Sequence, residues 1–145
     1  MPRHRQRRLY HLARTADRDS ILHRGLVASE GWDGGPGCYV TTDPESWLFL
    51  YEENRHDDEA AEIAGLQTSA VDVWAVDVAW YRVVQDQSEV AEPGEDFVVR
   101  VKRIPPERLK LVRSLVRNPK LQTDANGRLF YKWNEVGCAT RRTRR

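Results

Sequence analysis

Residues 37–51 read Gly-Cys-Tyr-Val-Thr-Thr-Asp-Pro-Glu-Ser-Trp-Leu-Phe-Leu-Tyr, and this stretch does most to decide the fold. Residues 38–41 combine β-branched and aromatic side chains, which predicts a strand. Asp43 can cap a helix that follows directly, with Pro44 at its first position and Glu45 near its positive end. The pattern therefore predicts a strand that leads straight into a helix.

Two shorter elements precede this unit. Residues 9–12, Leu-Tyr-His-Leu, form an apolar run that predicts a first strand. A short helix is expected over residues 17–24, because Asp17 or Asp19 can cap its N–H groups and Gly25 can end it in a left-handed conformation. The order strand, helix, strand, helix is thus predicted for the first third of the chain.

The sequence pattern of the remaining chain mostly predicts strands. Apolar and alternating runs predict strands over residues 71–78, 97–101, 109–116 and 128–133. Asn126 and Gly127 are typical of a tight hairpin turn between the last two strands. The acidic stretch 54–67 is either a continuation of the second helix or a surface excursion. Two early helices followed by strands indicate an α+β fold with an antiparallel sheet.

The composition bounds the class of protein. A chain of 145 residues with 40% hydrophobic and 31% charged residues corresponds to one domain with an ordinary core, not a disordered chain. No apolar run approaches the roughly 20 residues that span a bilayer, so no membrane partner is expected. Cys38 and Cys138 are too few for a thiolate zinc site, and no metal is expected. We expect a cytoplasmic monomer.

Charge is distributed unevenly along the chain. The tails, residues 1–8 and 134–145, each carry four arginines in an acid-free run at the very end, and residues 9–133 form the expected domain. Subtracting these eight from 23 basic residues leaves 15 against 22 acidic ones. The tails could contact nucleic-acid phosphates. Solvated tails are the favoured interpretation, because an acidic body repels polyanions.

Four segments in order carry a family resemblance. Residues 9–13 place a histidine in the first strand, and residues 20–26 end a short helix with Gly-Leu. Residues 37–41 have the form Gly-x-Tyr before a small polar residue, and residues 95–104 resemble a strand that opens with a carboxylate. Together they resemble the ADP-ribosyltransferase fold, in the branch containing poly(ADP-ribose) polymerases and diphtheria-type toxins. The resemblance covers residues 9 to about 116 and implies a split antiparallel sheet with short flanking helices.

The resemblance implies a binding site for NAD. His11 corresponds to the family's histidine that hydrogen bonds the adenosine-side ribose, and Tyr39 to its tyrosine that stacks on nicotinamide. The family usually has glycine where Leu12 stands, with its backbone contacting the nicotinamide amide. Thr41 and Thr42 occupy the small polar positions after the tyrosine. An imidazole can donate and accept, and an aromatic ring offers a flat face, so both types fit these roles.

The catalytic carboxylate implied by the resemblance is Glu95 or Asp96. Register along the apolar run favours Asp96, whereas side-chain length favours Glu95. Because successive residues of a strand point to opposite faces, only one of them can serve. If the strand begins at Asp96, then Glu95 lies in the preceding turn and is freer to reach a ribose.

The resemblance implies a mono-ADP-ribosyltransferase, a glycosyltransferase that uses NAD as substrate and needs no metal. It does not identify the acceptor of the ADP-ribose. A role as a toxin or in defence also fits the resemblance. A related alternative is an RNA 2′-phosphotransferase, since Asp77-Val78 followed later by residues 104–109 also resembles the last part of that family's sequences. The active-site arginines of that family are not matched, and Arg14 and Arg18 are the nearest candidates. A second alternative is an inactive module of the same fold that binds nucleic acid through its tails.

Overall fold

The computed structural model describes residues 8–29, 35–53, 69–89 and 91–136, with side chains described up to residue 48 of the second range. The strands are β1 Leu9–Arg14, β2 Leu26–Val27, β3 Cys38–Thr41, β4 Ala70–Val76, β5 Val83–Gln85, β6 Asp96–Val99, β7 Arg103–Ile104, β8 Leu109–Arg117, β9 Gln122–Thr123, β10 Leu129–Phe130 and β11 Trp133–Val136. The helices are α1 Arg18–Arg24 and α2 Pro44–Glu53, with 3₁₀ turns at Thr15–Asp17 and Pro106–Arg108. The acidic stretch 54–67 and the arginines of both tails, except Arg8, lie outside the described residues.

Seven strands form the main sheet in the order β11-β8-β4-β1-β3-β6-β5. Every pair of neighbours in it is antiparallel. Two small two-stranded sheets, β10-β9 and β2-β7, lie beside it. The predicted α+β class with a mainly antiparallel sheet is confirmed.

The junction between β1 and β3 is the narrowest in the main sheet. These strands share one registered pair, Tyr10 with Thr41, whereas β1 and β4 share six. The seven strands therefore form one sheet whose two parts are joined at this point by a single registered pair.

Apolar side chains cover both faces of the main sheet. One cluster includes Leu9 and Trp74, and the other includes Leu12 and Val73, because neighbours in a strand point to opposite faces. Trp74 is 1% exposed and Val73 is fully buried, so β4 is a central strand with two packed faces, as its sequence predicts. Burying each such side chain contributes roughly 1.5–3 kcal/mol.

Three details of the sequence-based expectation need correction. Asp17 stands at the start of α1 but makes no side-chain cap, because its carboxylate pairs with Arg14 at 2.9 Å. The turn containing Gly127, where φ is 81°, closes the small hairpin of β9 and β10 and not a hairpin between long strands. The domain boundary expected at residue 133 falls inside β11, since pairing with β8 continues to Val136.

Gly25 ends α1 as expected. Its φ is 85° and its N–H donates to the carbonyl of Ile21 at 2.8 Å. A Cβ at this position would lie 2.0 Å from the carbonyl oxygen of Ile104. Glycine is therefore required both by the backbone conformation and by the close approach of β7.

Candidate functional site

An open depression lies at the edge of the main sheet where β1 begins, β3 ends and β6 begins. Its volume is about 470 Å³, and it is lined by Arg8, Tyr10, Thr42, Gly94 and Glu95. The register explains this grouping, since Thr41 pairs with Tyr10 on one side and with Asp96 on the other. The residues that flank these pairs in the chain meet around one opening.

Glu95 presents a carboxylate to this depression. It lies in the turn before β6 and is partly exposed. The N–H of Thr42 donates to the carbonyl of Glu95 at 2.9 Å, and the Thr42 hydroxyl donates to its carboxylate. A main-chain and a side-chain bond from the same residue thus orient the carboxylate while it still reaches the opening.

Asp96 lies in a different environment. It is the first residue of β6 and is 6% exposed. Its carboxylate accepts from the indole N–H of Trp47 at 3.1 Å and from the backbone N–H of Glu92 at 2.9 Å. Both bonds tie neighbouring segments to the start of β6, which is a structural use of the carboxylate.

His11 and Tyr39 are in contact at the β1–β3 junction. Nδ1 of His11 lies 2.7 Å from the carbonyl oxygen of Tyr39, and because a carbonyl only accepts, Nδ1 carries the proton. Desolvation lowers the pKa of His11 below its ordinary 6.5 and outweighs the opposing effect of this hydrogen bond. The neutral ring therefore keeps Nε2 as an acceptor, and no described residue donates to it.

Trp47 connects His11 with Asp96, and sequence analysis did not identify it as a site residue. Its ring meets the His11 ring edge-on, with centroids 6.3 Å apart, while its N–H donates to Asp96. The only signal in the sequence was its apolar side chain within the helix expected after Pro44. α2 is thereby held against the strands that carry the candidate site.

Tyr39 is partly buried and is fixed at its hydroxyl end. That hydroxyl donates to the carbonyl of Gly35. The guanidinium of Arg100 donates to the carbonyl of Pro36 at 2.7 Å, and Gly37 forms a bridge with Ser29. Residues 35–37 are therefore held in place next to the Tyr39 side chain.

The side chains of Leu12 and Thr41 do not face the depression. Leu12 is 4% exposed and packs in the core, so only its backbone could meet a ligand. Thr41 is fully buried, and its hydroxyl accepts from the N–H of Asp43 at 3.1 Å before α2 begins. Of the residues expected to form the site, Thr42 and Glu95 line the depression itself.

A buried polar cluster around Asp72 was not anticipated from the sequence. Its carboxylate is fully buried and accepts from Arg18 at 2.7 Å and 2.8 Å, and from the hydroxyls of Thr15 and Ser114 at 2.9 Å each. Burial raises the pKa of Asp72, but these hydrogen bonds lower it more, so the group stays ionised. Arg14 and Arg18 are the arginines considered above for an RNA 2′-phosphotransferase. Each of them is paired with a carboxylate.

Three further features were considered in the part of the chain that the structure describes: a cysteine nucleophile, a metal site and a membrane-spanning helix. Burial raises the pKa of the Cys38 thiol to about 11, so this cysteine is a poor nucleophile. Within the same ranges, no three His, Cys, Asp or Glu side chains are grouped to hold a metal ion. No helix among those residues is long and apolar enough to cross a membrane.

Comparison with known proteins adds no relative. No protein-family model matches this sequence, and no curated protein gives a significant match. A function must therefore be inferred from the chain's own residues and from the resemblance of its motifs.

Proposed function

We propose that this chain is an NAD-dependent mono-ADP-ribosyltransferase with an ADP-ribosyltransferase fold. The observation that carries the proposal is the Glu95 carboxylate, which is partly exposed at an open depression and oriented by Thr42. A carboxylate so placed can stabilise a sugar on which positive charge develops, as in glycosidic cleavage.

In the proposed reaction, the bond between C1′ of ribose and the ring nitrogen of nicotinamide breaks, and its electron pair leaves with nicotinamide. Glu95 stabilises the oxocarbenium-like sugar and holds a ribose hydroxyl in position. A nucleophilic atom of the acceptor then bonds to C1′ and releases its proton to solvent. The acceptor is a macromolecule or small molecule that this reaction alone does not specify.

The residue types at the β1–β3 junction also fit the binding of NAD. Nε2 of the neutral His11 ring can accept from a ribose hydroxyl, and the Tyr39 ring can stack on nicotinamide. Leu12 is paired with Val73 on β4 but makes no registered pair with β3, and in this proposal the nicotinamide amide meets its backbone on the β3 side.

The RNA 2′-phosphotransferase alternative has less support. Such an enzyme needs cationic side chains directed at phosphates, and Arg14 and Arg18 are paired with Asp17 and Asp72 instead. We therefore favour transfer of ADP-ribose over transfer of phosphate.

The proposal is tested by incubating the full chain with NAD labelled on its adenylate phosphate, together with a cell lysate. We expect release of nicotinamide and label in an acceptor, both lowered by a factor of 10²–10³ in Glu95→Gln. Glu92→Gln is the matched control, because Glu92 is an exposed carboxylate three residues away and should leave both rates unchanged. Equal nicotinamide release by the wild type and Glu95→Gln, or none by the wild type, would contradict the proposal.

A further inference from the structure

Trp80 combines two features that rarely occur together. Its side chain is 94% exposed, and its φ is 74°, the one positive φ of a non-glycine residue among the described parts of the chain. The left-handed region is unfavourable for bulky residues, and solvent exposure gives the indole no packing in return. Such strain persists only where the surroundings impose it, and it is found preferentially at functional sites.

The surroundings of Trp80 do impose it. The turn formed by residues 77–82, here called the Trp80 turn, is closed by the N–H of Tyr81, which donates to Val78 at 2.9 Å. The N–H of Ala79 donates to the Asp77 carboxylate at 3.1 Å. Arg108 donates to the carbonyl of Ala79 at 2.6 Å, and its guanidinium lies 4.7 Å from the centre of the Tyr81 ring. Three hydrogen bonds and one cation–π contact therefore hold the turn, and the Trp80 indole is left exposed to solvent.

A basic segment lies against this turn. Residues 100–110 contain five basic residues and one acidic residue, although the chain without its end arginines has 15 basic and 22 acidic residues. The segment and the turn are joined by backbone bonds from Arg100 to the carbonyl of Arg82 at 3.3 Å and from Asp77 to the carbonyl of Arg108 at 2.9 Å. Arg82 and Lys102 are exposed. The Trp80 turn itself carries one acid, Asp77, and one base, Arg82, so the net positive charge beside it comes from residues 100–110, in an otherwise acidic domain.

We propose that the Trp80 turn binds single-stranded nucleic acid. An exposed aromatic face stacks on an unpaired base of any identity, and basic side chains beside it meet the backbone phosphates. Positive charge next to the indole favours a polyanion over a protein surface as the occupant. The site makes no use of Glu95, and the inference does not rest on the proposed transferase function.

The test is fluorescence anisotropy with the full chain and two labelled probes, a single strand of ten thymidines and a duplex of ten base pairs. Trp80→Gly should weaken binding of the single strand by about 5- to 150-fold, the range for loss of one base–aromatic stack. Binding of the duplex should not change, because its bases are already stacked. Glycine adopts a positive φ without the steric penalty that a side chain causes there, so the melting temperature should stay the same or rise.

Controls separate stacking from general attraction by the arginine tails. Leu129→Ala removes another apolar side chain, 61% exposed on β10, and should change neither affinity. Trp80→Phe keeps an aromatic face and should retain most of the single-strand affinity. Arg82→Gln should reduce the slope of log affinity against log salt by about 0.7, the value for one phosphate contact to a single strand.

Three results would overturn the proposal. One is equal single-strand affinity for the wild type and Trp80→Gly. Another is an equal loss for both probes, which would assign the effect to overall charge. The third is a wild-type chain that binds neither probe, which would point to a protein partner for this exposed indole.

Discussion

The indole N–H of Trp47 donates to Oδ1 of Asp96 at 3.1 Å, which holds inside the protein a carboxylate that adjoins Glu95 in the chain. Asp96 also receives a bond from the backbone of Glu92 at 2.9 Å, so both of its oxygens are used. Glu95, in contrast, lines the open depression. Two adjacent acids therefore have separate expected roles, one in stability and one in catalysis.

These roles predict unequal effects of the amide variants. Asp96→Asn should lower the free energy of unfolding by about 1–3 kcal/mol, because a buried acceptor of two hydrogen bonds is weakened. Glu95→Gln should leave stability nearly unchanged and lower nicotinamide release by 10²–10³-fold at similar affinity for NAD. Urea unfolding and turnover per folded molecule measure both quantities. A folded Asp96→Asn variant that loses as much turnover as Glu95→Gln would transfer the catalytic role to Asp96.

Tyr39 is expected to bind NAD through its ring and to hold the backbone at Gly35 through its hydroxyl. Tyr39→Ala should weaken NAD binding by about 0.5–1.5 kcal/mol beyond the loss of buried area. Tyr39→Phe keeps the ring and removes the hydroxyl that donates to Gly35, so its affinity should stay closer to that of the wild type. Calorimetric titration of NAD into the three proteins distinguishes the cases. An unchanged affinity in Tyr39→Ala would exclude the stacking role.

Because His11 is desolvated in the folded protein, we expect the free energy of unfolding to depend on pH. Desolvation lowers its pKa in the folded state, so the unfolded chain binds more protons as the pH falls below 6.5. The contribution of the neutral ring is fully present above pH 6.5 and is lost as the pH drops through the folded-state pKa. Urea midpoints between pH 5 and 8 should show a smaller slope for His11→Gln than for the wild type.

The exposed His23 on α1 provides the control for this slope, because His23→Gln removes an imidazole away from the β1–β3 junction. That variant should keep the wild-type pH dependence. If His11→Gln and His23→Gln have the same slope as the wild type, His11 is not desolvated in solution.

The Arg18–Asp72 pair should contribute more to stability than the Arg14–Asp17 pair. Arg18→Met leaves a fully buried carboxylate without its cation, and after allowance for the 36% exposure of the Arg18 side chain we expect a loss of about 1.5–3 kcal/mol. Arg14→Met breaks a pair whose side chains are 41% and 42% exposed, and should cost about 0–1 kcal/mol. Equal losses would contradict the buried role of Asp72.

The contribution of the Arg18–Asp72 pair to stability should also depend on pH. The hydrogen bonds to Asp72 outweigh desolvation and lower its pKa, so the stability they provide is present above the unfolded value of 3.8. It is lost as the pH falls through the folded-state pKa. The difference in unfolding free energy between the wild type and Arg18→Met should therefore shrink below pH 3.8.

Local sequence determined most of the regular elements. The strand Cys38–Thr41 and the helix that begins at Pro44 occur where side-chain types and capping positions predict them. The strand predicted over residues 97–101 occurs nearby, over residues 96–99, directly after Glu95. These features depend on residues a few positions apart, so their pattern can be read from the sequence.

Only the tertiary structure decided which polar side chains meet. Asp72 lies 54 residues from Arg18 and 42 from Ser114, and the pairing of β4 with β1 and β8 brings the three together. Trp47 reaches Asp96 across 49 residues, and this contact shows that Asp96 is the buried acid, which the alternation of a strand alone does not decide. Sequence periodicity specifies the face on which a side chain lies, whereas strand order and register specify its neighbours.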